Sequence, residues 1–412
     1  MNKTNINNER VMADNINLTL LQKPKYYTAI DGLRLLASVN VVLFHLQYIG
    51  GLHDMQGNPQ WLFRLIKGPA FHASLFFILG GFIFATKFAQ NMAEGRFKSW
   101  PFLKKRFSEL YPLHLITTLT MAALYIVRRW GTDGIDIPQL GYSLFMHLSF
   151  LWSFCPLGTI SLNTPSWALS AMFLCYLLFS PLLKWTLRLK SRGAVMLWMA
   201  LSLVPLIACG YVYASIGSPE KYYQLFHGFA PVRFFEFALG VLLARFLMLR
   251  DVNKPIHSDL RLAIRCDLLI LLVVGLIYYN LSIRGMSIFG ISLPAVRTTP
   301  EMKWFSYHVF MIPLYLVIIY AVSKEKGIFA WALSRRFIQR LGRTSFYPYL
   351  LHIPLISIIT TFCERVMGYK KFLHNPLNIL VFMILLYGGS YLYVYAVRNK
   401  RREKKAQAAA AK

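Results

Sequence analysis

Acidic residues are scarce: 17 Asp and Glu stand against 45 Lys and Arg in 412 residues, a formal net charge of +28, and the four charged types make only 15% of the chain. A soluble domain of this length carries more charge at its surface, so the composition excludes an ordinary soluble globular protein. Cysteine is sparse as well. The five present, Cys155, Cys175, Cys209, Cys266 and Cys363, have no ligand-like spacing and indicate neither a metal site nor a disulfide framework, although Cys155 and Cys363 could meet outside a membrane. The Asn-rich stretch 1–27 lacks the basic start, short apolar core and small-residue cleavage site of a secretory signal, so the first apolar run is expected to be retained. No internal repeat is visible, and no connection has room for a soluble domain.

What the chain does have is apolar length: 56% hydrophobic and 15% aromatic residues, with mean hydropathy +0.45. Runs close to the roughly 20 residues needed to cross hydrocarbon recur from end to end. They lie near 28–49, 69–89, 106–127, 166–184, 194–216, 226–249, 264–282, 305–322, 343–363 and 377–397. The sequence therefore predicts an all-α, polytopic membrane helix bundle of about ten transmembrane helices. A further run, Leu140 to Trp152, is short.

The basic excess decides how that short run is placed. Basic clusters occur at Arg96, Lys98, Lys104, Lys105 and Arg106; at Lys184, Arg188, Lys190 and Arg192; around Arg245 to Arg265; at Lys324, Lys326, Arg335, Arg336, Arg340 and Arg343; and from Arg398 to Lys405. If the segment near 138–155 rests on the outer face without crossing, all five clusters fall on the cytoplasmic side. If it crosses, the later four move outside. The expected plan is thus a cytoplasmic polar segment over 1–27, a membrane domain over 28–397 and a basic cytoplasmic tail over 398–412, in the plasma (inner) membrane. Basic residues in short clusters between apolar runs are loop charges facing membrane lipids; they do not make a nucleic-acid surface.

Several spans carry ionisable residues, which are costly in lipid and usually face a partner or a cavity. Asp31 and Arg34, three apart on the first span, can pair. Arg34 and His45 are 11 residues apart, which returns to within about 20° of the same face and separates them by about 16 Å. His45 has two readings, a core imidazole bonded to a neighbouring helix or a functional group. Arg233 and Glu236 are another pair three apart, with a structural role as the plain reading. His352 lies mid-span between Pro348 and Pro354, whose missing N–H groups free carbonyls where a helix lines protein or a wet cavity. His72, His114 and His308 have no companion motif. Gly80 and Gly81 permit a close approach, of a ligand or, more commonly in membranes, of another helix. Lys104, Lys105 and Arg106 can bind anionic lipid, fix topology or clamp phosphates, and the sequence alone favours topology.

Taken in order, these stretches resemble the membrane-bound acyltransferases of family three. Arg34 and His45 match the family's Arg-x10-His signature, preceded by Asp31 and Gly32. "FFILGGF", "KKRFSELYP", "TPSWALSAMF", "RFFEFALG" and "LGRTSFYPYLLHIP" are similar to successive family segments, so the resemblance runs from about Ala29 to Pro354. Three positions depart from the family pattern: Gly80 replaces a Ser, Glu109 an Arg and Met172 a Glu.

The resemblance implies an O-acyltransferase that moves an acyl group, usually acetyl, from cytosolic acyl-CoA to a hydroxyl of a carbohydrate acceptor, a cell-surface glycan or its lipid-linked precursor. Catalysis would then fall to His45 with Arg34. The acetyl-CoA side would use Asp31, Arg34, Lys104, Lys105 and Arg106, and the acceptor side Ser166, Trp167, Ser170, Arg233 and His352. No metal is expected. Direct transfer is favoured over an acyl-enzyme, because no activated Cys or Ser motif is evident. The competing class is a transporter or flippase of lipid-linked sugar, which would show broken helices in two matching halves, and no such symmetry is seen. A purely structural subunit would leave the Asp-x2-Arg-x10-His stripe without a use.

Overall fold

A computed structural model describes residues 26–49, 69–130, 134–155, 159–216, 226–249, 259–282, 286–288, 291–293, 309–369 and 372–410. Residues 1–25 of the expected N-terminal segment and His308 lie outside the described residues, as do the side chains of His72 and of 401–410.

Helices occupy nearly all of the rest. In chain order they are α1 (Thr28–Ile49), α2 (Pro69–Ala93), α3 (Ser99–Arg129), α4 (Ile137–Leu148), α5 (Ser166–Leu187), α6 (Arg192–Leu201), α7 (Val204–Ser215), α8 (Ala230–Met248), α9 (Asp259–Ser282), α10 (Met311–Ser323), α11 (Ile328–Leu333), α12 (Arg336–Thr344), α13 (Phe346–Val366) and α14 (Pro376–Ala410). A hairpin of β1 (Met286–Ile288) and β2 (Ile291–Leu293) follows α9. Among the described residues, seven helical segments are long and apolar enough to cross a membrane, with α6 and α7 forming one of them. The other three expected spans coincide with α8, α9 and α10. The molecule is an all-α membrane helix bundle.

Local chemistry sets the ends. Asp136 caps α4 by accepting from the Gln139 N–H, and Ser191 caps α6 by accepting from the Ala194 N–H. With 12 residues, α4 is about 18 Å long, well short of the hydrocarbon thickness. A tight turn follows, in which Phe150 takes the left-handed backbone region with φ 60°. Apolar faces of α9 and α14, such as Leu268, Leu272, Leu380 and Leu385, point outward as a lipid-facing surface requires.

Helix α1 sits where two cores meet. Ala29, Ile30, Leu33 and Ala37 join the main core with α2, α5, α8 and α10. Leu35, Val42 and Leu46 join a second core with α13 and α14. Asp31, Arg34, Ser38 and His45 all fall within about 60° of circumference between these two flanks. The polar stripe thus lies on the seam of two packing units.

Two close approaches fix the frame. At the crossing of α2 and α8, a β-carbon on Gly81 would stand 2.0 Å from the Phe237 carbonyl oxygen, and one on Gly240 1.9 Å from that of Ile78. Helix packing is therefore the use of Gly81. Likewise a β-carbon on Gly342 would stand 1.8 Å from the Asp31 carbonyl oxygen, which brings α12 against α1.

Helix α13 continues from α12 alongside α1 in register. Ser38 Oγ donates to the Ser345 carbonyl at 3.2 Å, and His45 meets His352 at 3.1 Å; both pairs are 307 residues apart in sequence. Seven residues on each helix separate the two contacts, so α1 and α13 run parallel with a heptad step. A parallel pair needs an odd number of crossings between its members. The expected plan of ten spans places seven there (α2, α3, α5, α6 with α7, α8, α9 and α10), an odd number, whereas a crossing α4 would make eight.

Candidate active site

At one end of the bundle, the start of α1, the end of α2 and the start of α3 bring cations together beside Tyr176, midway along α5. Arg106 stacks on Phe84 and Phe102, 5.3 and 5.8 Å from their ring centres, and pairs with Glu109 at 2.9 Å. Its Nε is buried without a hydrogen-bond partner. Lys87 lies in coulombic range of Lys105, Arg106 and Glu109. Tyr176 lies in range of Arg34, Arg106 and Glu109. Lys104 is exposed at the same end. Arg34, Lys105 and Arg106 are therefore one neighbourhood, to which the structure adds Lys87 and Tyr176.

Asp31 organises the edge of that neighbourhood. It pairs with Arg34 at 3.7 Å, as the spacing predicts. Its closer partner is Arg343 Nε at 3.0 Å, and it also accepts from the Tyr26 hydroxyl. One of its three ions, Arg343, comes from α12, which no local spacing could show.

Further along the same stripe, the two imidazoles form a pair. His352 is fully buried and His45 is half-buried. His352 Nδ1 faces the Pro348 carbonyl at 3.1 Å, so Nδ1 carries the proton and Nε2 is the acceptor. His45 Nδ1 lies 3.0 Å from the Val41 carbonyl and 3.1 Å from His352 Nε2. One N–H satisfies both, which assigns the proton of His45 to Nδ1 and leaves its Nε2 lone pair as the acceptor. Phe44 packs edge-on to His45 at 5.1 Å and Tyr349 lies 6.1 Å from His352, walling the pair with aromatic rings.

The start of α5 adjoins this pair through Tyr349, whose hydroxyl donates to the Pro165 carbonyl at 3.2 Å. Pro354 has no N–H, so the Leu350 carbonyl loses its helical donor. Asn163 Nδ2 replaces that donor at 3.1 Å.

Ser166, Trp167, Ser170 and Arg233 lie in the wall behind. Ser166 is buried and its hydroxyl sits 3.1 Å from His147 Nδ1. His147 Nε2 faces the Ile160 carbonyl at 3.3 Å, so the serine donates. Burial pushes the His147 pKa down to about 4, against a smaller upward pull from the Ile160 carbonyl. Ser170 donates to the Phe150 carbonyl and accepts from the Ser153 N–H at 3.2 Å, holding the turn after α4. Trp167 is 9% exposed, stacked on Phe77 at 6.0 Å, edge-on to His227 at 5.0 Å and beneath Arg233 at 5.3 Å.

Arg233 and Glu236 are both fully buried and joined at 2.7 Å, with Ser74 bonded to each. Arg233 also donates to the His227 carbonyl at 2.8 Å. These groups support the wall, and Trp167 shows no open ring face. His114, given no role from sequence, donates from Nε2 to the His147 carbonyl at 2.9 Å. Cys155 and Cys363 are both free thiols, so the pairing the sequence left open does not form. Among the described residues, no group of three His, Cys, Asp or Glu side chains is placed to hold a metal ion.

The fold and this stripe define a polytopic membrane protein with a cation cluster at one end of its bundle and a histidine pair deeper along the first helix. A family model described as an acyltransferase domain matches residues 27–395, and the chain belongs to that acyltransferase family. It is 28% identical over 233 residues to Acyltransferase MdmB of Streptomyces mycarofaciens, covering 53% of this chain and 57% of that one. It is 21% identical over 374 residues to O-acetyltransferase OatA of Staphylococcus aureus, covering 84% of this chain and 53% of that one. A 26% identity over 200 residues links it to Protein 2 in picA locus of Rhizobium radiobacter, covering 45% of this chain and 95% of that one. The chain thus spans little more than half the length of MdmB and OatA. No solved structure matches it.

Proposed function

We propose that the protein is a membrane O-acyltransferase that moves an acyl group, in the simplest case acetyl, from cytosolic acyl-CoA to a hydroxyl of a cell-surface glycan or its lipid-linked precursor. The family and the similarity to the O-acetyltransferase OatA support the reaction class. The observation that carries the mechanism is the His45 Nε2 lone pair, fixed by the hydrogen bonds at Nδ1 and set on the same stripe as Arg34.

His45 Nε2 takes the proton of the acceptor hydroxyl as that oxygen attacks the thioester carbon. Arg34 is about 16 Å away along the helix and does not reach the reacting carbon. It serves the phosphate end of the donor instead, with Asp31, Lys104, Lys105 and Arg106, while the extended pantetheine arm crosses the gap to His45. Guanidinium and ammonium groups suit phosphate oxygens. The acceptor enters between His45 and the first turn of α5, with Ser166, Trp167, Ser170, Arg233 and His352 forming the wall behind it.

In this reading the protein lies in the inner membrane with ten crossings. Both termini are then cytoplasmic, the Arg34 end faces the CoA pool, and α4 rests on the outer side.

The test is transfer of label from labelled acetyl-CoA to isolated surface glycan by purified protein. Label in the glycan, lost in a folded His45→Ala variant, is the expected result. Movement of unmodified glycan across a vesicle membrane without label transfer would replace this reading with a flippase.

A further inference from the structure

The histidine pair carries more than one imidazole's chemistry. His45 Nδ1 and His352 Nε2 are 3.1 Å apart, and His352 Nδ1 is held by the Pro348 carbonyl at 3.1 Å. His352 is fully buried, its ring 4.9 Å from that of His45 between centres. A single carbonyl at Nδ1 would suffice to fix the tautomer of His45, and Val41 supplies it at 3.0 Å. The second imidazole is therefore not needed for orientation alone. It offers a basic nitrogen on the far side of the ring that meets the substrate.

We propose that His352 is a positioning residue that shares the transferred proton through His45; this rests on His45 acting as the base. As the acceptor O–H bond breaks, its proton binds His45 Nε2 and the acceptor oxygen bonds the acyl carbon. The Nδ1 proton of His45 shifts to His352 Nε2, which places the positive charge on the inner ring, where the Pro348 carbonyl accepts from Nδ1–H. When the C–S bond breaks, the proton on His45 Nε2 passes to the departing sulfur and the shared proton returns to His45 Nδ1. One O–H and one C–S bond are lost, one C–O and one S–H bond are formed, and both rings end neutral.

His352→Gln separates sharing from simple orientation, because the amide oxygen can accept the His45 N–H bond but cannot take its proton. The expected result is a kcat lower by about 10- to 100-fold, an unchanged KM for acyl-CoA, and a rate that falls linearly with deuterium fraction where the wild type falls along a curve. A wild-type kcat with the curved dependence retained would overturn the proposal. On the wild-type protein itself, nitrogen NMR of labelled histidine is expected to show His352 Nε2 unprotonated at rest; a protonated Nε2 overturns it without any variant. Activity surviving in His45→Ala would remove the base reading itself. Activity lost there but intact in His352→Gln removes only the sharing.

Discussion

The terminal methyl of Met172 lies 3.3 Å from where a β-carbon on Gly80 would stand. Two of the three departures from the family pattern therefore touch, and the space opened by one is filled by the other. A methionine tip is flexible and yields at small cost. Gly80→Ala is expected to change stability by less than about 1 kcal/mol. Gly81→Ala and Gly240→Ala meet main-chain oxygens at 2.0 and 1.9 Å and have nowhere to go, so each is expected to cost about 3 kcal/mol or more. Unfolding of the three variants in detergent checks this, and equal losses at all three sites would contradict it.

The third departure, Glu109, holds Arg106 at 2.9 Å. Arg106→Gln is expected to raise the KM for acyl-CoA by about tenfold, the worth of one charge-assisted phosphate contact, with kcat nearly unchanged. Glu109→Gln frees the guanidinium and is expected to move KM the opposite way. Steady-state kinetics on both variants gives the signs.

The buried Arg233–Glu236 pair has no water to fall back on. Glu236→Ala leaves the guanidinium without its carboxylate and is expected to destabilise by about 3–5 kcal/mol. Replacing both members by Met is expected to cost less than either single change. Comparison of the two singles with the double in one unfolding assay tests the pairing directly.

His147 gives stability a pH dependence. Its pKa is about 4 in the folded protein against an ordinary 6.5, so between those values the unfolded chain binds the extra proton. The contribution of neutral His147 is fully present above pH 6.5 and is lost as pH falls toward 4. His147→Gln is expected to flatten that part of the stability profile, measured as unfolding temperature against pH.

The helical bundle was legible because apolar length and the placement of cations are local properties of the chain. Helix α4 illustrates this: the sequence marks it as a short run, and the structure gives it 12 residues, about 18 Å of helix. The Asp31–Arg34 pair was equally local. Arg343, Lys87 and Tyr176 were not legible, because each reaches the site through the packing of distant helices. Asn163 left one trace, since Pro354 frees a carbonyl that some donor had to meet. The wall residues show the opposite limit: the sequence offers a tryptophan and two serines as contacts for a sugar, while packing covers the ring with Phe77, His227 and Arg233. The last span ends at Val397, as expected, and its helix continues to Ala410.

Both long-range partners of the first helix's ionisable residues are made late. Arg343 lies 312 residues after Asp31, and His352 lies 307 after His45. During synthesis the first helix therefore enters the membrane with its carboxylate and imidazole incompletely matched, and Gly342 can seat against it only once most of the chain has emerged. A fragment ending before α12 would lack α13 and α14 and, with them, the two counterparts that finish the seam, so Asp31 and His45 would stand in the first helix without Arg343 and His352.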